Sequence, residues 1–145
     1  PLVNSLMLDQ FRKSVESTKD DNILVNGLNP ISADGDDDLN TVKAYCNHNT
    51  IYKLTREPID KNYHLEKKIP YQIYRQLGLY GGTPYAFDIF NTLAKSVLEA
   101  KESIEMLRWL SNGKQLLAAP LDGALLSVDT PADLQHVQNI LKNKK

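Results

Sequence analysis

The chain has 145 residues, 41% of them hydrophobic and 24% charged, which suits one globular domain with a real core. A formal net charge of -1 gives no basic field for nucleic acid, and the terminal Lys142, Lys144 and Lys145 read as a solvated helix end. The single cysteine, Cys46, excludes an intrachain disulfide and a cysteine-based zinc site, and no run approaches the roughly 20 apolar residues of a membrane span. The first helix carries Asp9, Arg12, Lys13 and Glu16 and so is no signal peptide. A cytoplasmic protein without nucleic-acid or membrane partners is expected, and Pro1 in place of a starting methionine reads as a processed or truncated product.

Asn4 is placed to cap a helix over residues 5–16, with Leu8, Phe11 and Val15 on its buried face. A short strand at 23–25 is stopped by Gly27 and Pro30, and the acidic run 33–38 lacks the alternation of a calcium loop, so it reads as a solvated turn. Strands at 41–46 and 51–55 form a hairpin around Asn47-His48-Asn49. A charged loop over 56–71 leads to a strand at 76–80, closed by Gly81-Gly82, and a helix over 85–95.

One longer helix then starts from the capping box Ser96/Glu99 and stops at Asn112-Gly113, with Val97, Ala100, Ile104, Leu107 and Leu110 inward. Strands at 116–119 and 124–128 flank the turn at Asp122-Gly123. A last helix opens at Thr130-Pro131 with Leu134, Val137 and Leu141 facing the core. Alternating helices and strands without repeats predict an α/β class, with a mostly parallel or mixed sheet covered by helices.

Two patterns could carry chemistry. Asp129 ends an apolar strand just before a proline-started helix, where it could hold magnesium for phosphoryl or nucleotidyl transfer or simply support the helix N-terminus. Glu99, Glu102, Glu105 and Arg108 recur every three residues, so Glu105 can pair with Arg108. As a bare pattern that stripe is a solvated face, yet it also offers acceptors for sugar hydroxyls and a cation for a carboxylate. The three histidines, His48, His64 and His136, show no metal-ligand spacing, and Cys46 reads as buried and inert.

Several segments together resemble the CMP-Kdo synthetases, the 3-deoxy-manno-octulosonate cytidylyltransferases. Arg75-Gln76-Leu77-Gly78-Leu79-Tyr80-Gly81 is similar to that family's R-H-L-G-I-Y-G strand, and Leu98-Glu99 through Ile104-Glu105-Met106-Leu107-Arg108 to its L-E…L-E-Q-L-R helix. Val128-Asp129-Thr130-Pro131-Ala132-Asp133-Leu134 is similar to V-D-T-P-E-D-L. Weaker echoes lie at Pro1-Leu2, at Asn40-Thr41-Val42-Lys43 and from Tyr52 to Arg56.

The resemblance implies a Rossmann-like α/β nucleotidyltransferase fold with a mixed sheet flanked by helices, in a homodimeric enzyme that joins CTP to an acidic 3-deoxy sugar with Mg2+ present. Residues 1–145 would be the C-terminal, sugar-binding and dimerisation part of the domain, without its N-terminal nucleotide-binding half. Carried over by position, Asp129 is the catalytic metal ligand, and Tyr80, Glu105, Gln76, Arg56 and Arg108 line the sugar site.

The family's histidine is Gln76 here, its glutamine is Met106 and its glycine before V-D-T-P is Ser127, which opens the choice of sugar. The family's phosphate-binding loop and the aspartate of its D-E-P motif are not in these residues, so the chain alone is expected to be inactive. An acylneuraminate-type cytidylyltransferase for another acidic sugar, and a non-catalytic dimerisation or binding module, are the alternative readings.

Overall fold

The computed structural model describes residues 4–31, 37–59, 71–122, 128 and 131–142. Five strands in these residues, β1 (Leu24–Pro30), β2 (Lys43–Asn47), β3 (Thr50–Thr55), β4 (Gln72–Gly81) and β5 (Leu116–Pro120), pair in the order β1-β4-β2-β3-β5, and β5 returns to β1 to close a ring. The sheet is mixed, as expected, but it is not mostly parallel. Only β1 and β5 run parallel among the described strands, with Leu24 opposite Leu116 and Leu28 opposite Pro120. The other pairs are antiparallel, and for β2 and β3 the tight hairpin allows nothing else. That hairpin turns at His48, whose φ of 53° is the left-handed conformation, and a register shift at Tyr45/Cys46 precedes it in the chain.

Alternate strand residues enter two separate clusters, as the period of two requires. Leu24, Leu28, Ala44, Cys46, Ile51 and Leu116 pack with Ile104, Met106, Leu107 and Trp109. Val25, Leu77 and Ala119 pack with Met7 and Phe11 of α1 (Ser5–Glu16). Asn4 caps α1 as predicted, accepting from the Met7 N–H at 2.8 Å. The buried face differs from the prediction: Met7 is fully buried, whereas Leu8 is 48% exposed. The helix is rotated so that Met7 and Phe11, one turn apart, meet the sheet. Gly81 permits that approach, since a Cβ there would strike the Val15 side chain and stand 3.0 Å from the Phe11 ring.

β1 does not stop at Gly27 but continues to Pro30, because it is paired on both sides, with β4 and with β5. α2 (Pro84–Thr92) is capped by Thr83, which accepts from the Ala86 N–H at 3.2 Å. The single helix expected over 96–112 is two: α3 (Val97–Glu102) and α4 (Met106–Ser111), separated where Ser103 adopts φ 53°. The break turns Ile104, Met106 and Leu107 into the core and leaves Val97 86% exposed, so the predicted stripe holds only in its second half. α5 (Pro131–Lys142) buries Val137, while the expected Leu134 and Leu141 are about half exposed. The acidic run 33–38, the loop 56–71 and the strand at 124–128 fall partly outside the described residues, as do Asp129 and Thr130 wholly.

Candidate functional site

β4 carries two of the predicted sugar-site residues, Gln76 and Tyr80, four positions apart and therefore on one side of the strand. Tyr80 packs its ring against the larger cluster. Its hydroxyl is held above the ordinary value, first by burial and then by the negative charge of Glu105. Glu105 precedes α4 and is exposed.

Gln76 is half-buried and donates from Nε2 to Asn26 Oδ1 at 2.7 Å. Asn26 is fully buried within β1 and was not singled out by its sequence context, because the strand was expected to end before it. Asparagine is depleted in strands, so an asparagine inside an apolar run was the one available signal.

The two arginines are placed differently. Arg108 is not paired with Glu105 as the spacing suggested. It forks onto Glu99 through Nε at 2.9 Å and Nη2 at 2.6 Å, and its guanidinium lies 4.8 Å from the Phe90 ring centroid. The break between α3 and α4 explains this, since a pair nine residues apart can meet only if the helix is interrupted. Arg108 holds the Glu99 carboxyl below the usual range, and the backbone N–H of Ser96 adds to the effect. Ser96 Oγ accepts from the Glu99 N–H at 3.0 Å, as the capping box requires of its first member.

Arg56 instead donates to main-chain oxygens: Nε to Glu102 O at 2.9 Å, Nη1 to Asn40 O at 2.7 Å and to Leu39 O at 3.3 Å. The Glu102 carboxylate takes the Arg56 backbone N–H at 3.0 Å. Nearby Lys43 is fully buried and donates to the carbonyls of Asp38 and Arg56. A lysine inside a strand core gave no such hint in the sequence. Asp38 accepts from the Asn40 N–H and the Thr41 hydroxyl, and the Asn40 bond chiefly holds its carboxyl low.

Asp129, the predicted metal ligand, lies outside the described residues, and so does His64. Among the described residues no group of three or more His, Cys, Asp or Glu side chains could hold a metal. His48 sits in the hairpin turn and His136 is exposed on α5. Cys46 is buried, which pushes its thiol up to about 12, in keeping with an inert core residue. No helix among the described residues is long and apolar enough to cross a membrane. A cleft of about 330 Å³ lies between β3 and the α3–α4 pair, lined by Tyr52, Thr55, Leu98, Lys101 and Glu102 among others, and it includes none of Gln76, Tyr80 or Glu105.

No family model matches the chain. It is 35% identical over 109 residues to a 3-deoxy-manno-octulosonate cytidylyltransferase of Chlorobium phaeobacteroides, covering 74% of this chain and 43% of that one. The enzyme of the same name from Rhizobium johnstonii is 37% identical over 102 residues, 65% of this chain and 41% of its own. That of Bacteroides thetaiotaomicron is 38% identical over 71 residues, 49% and 28% respectively.

A solved CMP:2-keto-3-deoxy-manno-octonic acid synthetase complexed with CTP superposes with a TM-score of 0.72 at 23% identity, covering 96% of this chain and 55% of that chain. At that identity the likeness establishes the mixed α/β fold. The chain spans under half the length of these curated relatives, and by sequence it is related to the 3-deoxy-manno-octulosonate cytidylyltransferases.

Proposed function

We propose that these residues are the C-terminal, sugar-binding and dimerisation part of a Rossmann-like cytidylyltransferase domain. That enzyme activates 3-deoxy-manno-octulosonate, or a close analogue, with CTP for lipopolysaccharide synthesis. The observation that carries the reading is the 35% identity to a cytidylyltransferase of that sugar across 74% of the chain. The anomeric hydroxyl of the sugar attacks the α-phosphorus of CTP, its proton is lost, and pyrophosphate leaves with the electrons of the broken bond. No covalent enzyme intermediate is needed, so catalysis rests on placing two anions together.

In that frame each residue has a task. Arg56 pairs with the sugar carboxylate, Glu105 accepts from a sugar hydroxyl and Tyr80 donates to another. Arg108 acts on the site through the fold, holding Glu99 and with it the break that presents Glu105. Asp129 offers the hard oxygen that Mg2+ prefers. Magnesium supplies charge neutralisation of the triphosphate when bound. The phosphate-binding loop and a second metal aspartate are assigned to the part of the relatives outside the matched span. The working form is a cytoplasmic homodimer.

Pyrophosphate release from CTP and magnesium tests the reading, using the product of the complete open reading frame against the 145-residue chain, each offered Kdo, an 8-amino analogue and N-acetylneuraminate. Release by the long form alone, with an octulosonate, is the expected result. Release with N-acetylneuraminate only would make it an acylneuraminate-type enzyme, and no release from either form would leave a binding module. In the long form Asp129→Asn should abolish turnover with an unchanged thermal melt, and normal turnover in that variant would remove Asp129 from the metal site.

A further inference from the structure

Asn26 is fully buried, and its amide orientation is fixed by its surroundings. Nδ2 donates to the carbonyl oxygens of Leu77 at 2.9 Å, Leu79 at 3.1 Å and Gly27 at 3.2 Å. Turning the amide over would set Oδ1 against three carbonyl oxygens, a buried arrangement without a proton to share. Oδ1 must therefore face Gln76, and only an N–H of Gln76 can meet it, which is the 2.7 Å bond observed. The orientation of one amide dictates the orientation of the next.

We infer that Asn26 is a positioning residue that locks Gln76 so that its Oε1 is the atom left for a ligand, making Gln76 a reader of a hydrogen-bond donor on the substrate. Gln76 Oε1 accepts no hydrogen bond among the described residues, and its side chain is half-buried rather than lost in the core. A carbonyl oxygen accepts and cannot donate. It repels a carboxylate and selects a hydroxyl or an N–H. The inference rests on the sugar-site reading above and refines it: through this oxygen the site reads a hydroxyl or amine of the acidic sugar.

The test uses the complete enzyme and the sugar it turns over. Gln76→Met removes the acceptor with little change of length, and should raise KM for the sugar about 3- to 10-fold, the worth of one neutral hydrogen bond, with kcat and the KM for CTP unchanged. Asn26→Ala should raise the sugar KM similarly, and in a Gln76→Met background it should add nothing, because it acts only through Gln76. Asn26→Ser takes its place if the alanine variant does not fold.

In 15N spectra one Gln76 side-chain amide proton should exchange slowly in wild type and rapidly in the Asn26 variant, by more than the backbone amides of β1 and β4, which report any general loss of stability. Unchanged sugar KM in Gln76→Met, or additive effects in the double variant, would overturn the inference while leaving the enzyme assignment intact. Absence of wild-type turnover with every acidic sugar would overturn the assignment itself, and the inference with it.

Discussion

The resemblance places both Arg56 and Arg108 at the sugar site, and the structure separates them. Arg108 meets a carboxylate in a two-point fork, with side chains only 15% and 6% exposed, so its charge is matched within the fold. Arg56 is held as firmly in direction, but by carbonyl oxygens of residues 39, 40 and 102, which orient a guanidinium without neutralising it. Among the described residues its guanidinium makes no ion pair with a carboxylate. A cation aimed by main-chain oxygens keeps its charge available for an anionic ligand, whereas one already bound to glutamate serves the fold.

That contrast can be broken most decisively by Arg56→Met in the complete enzyme. Loss of a charge-assisted contact to the sugar should lower kcat/KM for the sugar about 10- to 100-fold, read by pyrophosphate release. Arg108→Met should do the reverse, lowering the melting temperature markedly because the buried Glu99 carboxylate loses its counter-charge, with a smaller change in sugar KM. Equal KM effects from both arginines would erase the distinction.

The Glu99 pair also predicts a pH dependence. A carboxyl whose folded pKa is lowered contributes stability that is fully present above its ordinary value of 4.5 and is lost as pH falls through the depressed one. Thermal melts of wild type should therefore decline on acidification below about pH 4.5 more steeply than those of Glu99→Gln. Identical slopes would show that the fork contributes nothing through charge.

Most element types were legible in the sequence because their signals are local. Asn4, Thr83 and Ser96 each accept from a backbone N–H three residues on, and the caps at Asn4 and Ser96 are visible in the sequence, whereas α4 begins without a side-chain cap. What could not be read was set by partners distant in the chain. The rotation of α1 onto Met7 depends on Gly81, and the course of β1 through Gly27 depends on strands 50 and 90 residues away. The helix break at Ser103 follows from a Glu99–Arg108 contact and an inward Ile104 that local propensity does not encode.

The candidate site rests on motif resemblance in the sequence. Tyr80, Gln76 and Glu105 stand out by motif, and the Tyr80 hydroxyl is raised first by burial and then by Glu105. Asn26 was invisible and Lys43 showed only as the end of a weak motif echo, since a buried polar residue announces itself only through the groups that satisfy it.

The smallest effect is expected at Glu102, and it is the sharpest discriminator between the arginines. Its carboxylate accepts the Arg56 backbone N–H at 3.0 Å and the Thr55 hydroxyl at 3.4 Å, yet the Arg56 guanidinium is held by the Glu102 main-chain oxygen. Glu102→Gln retains an acceptor for the N–H and leaves that main-chain oxygen in place. Denaturant unfolding should show a loss of about 1 kcal/mol or less, the difference between a charged and a neutral acceptor. Arg56 should stay aimed, so the sugar KM should hold or fall slightly as a negative charge near the acidic sugar is removed. A rise in sugar KM would mean that the Glu102 side chain orients Arg56 after all, as the Glu99 side chain holds Arg108.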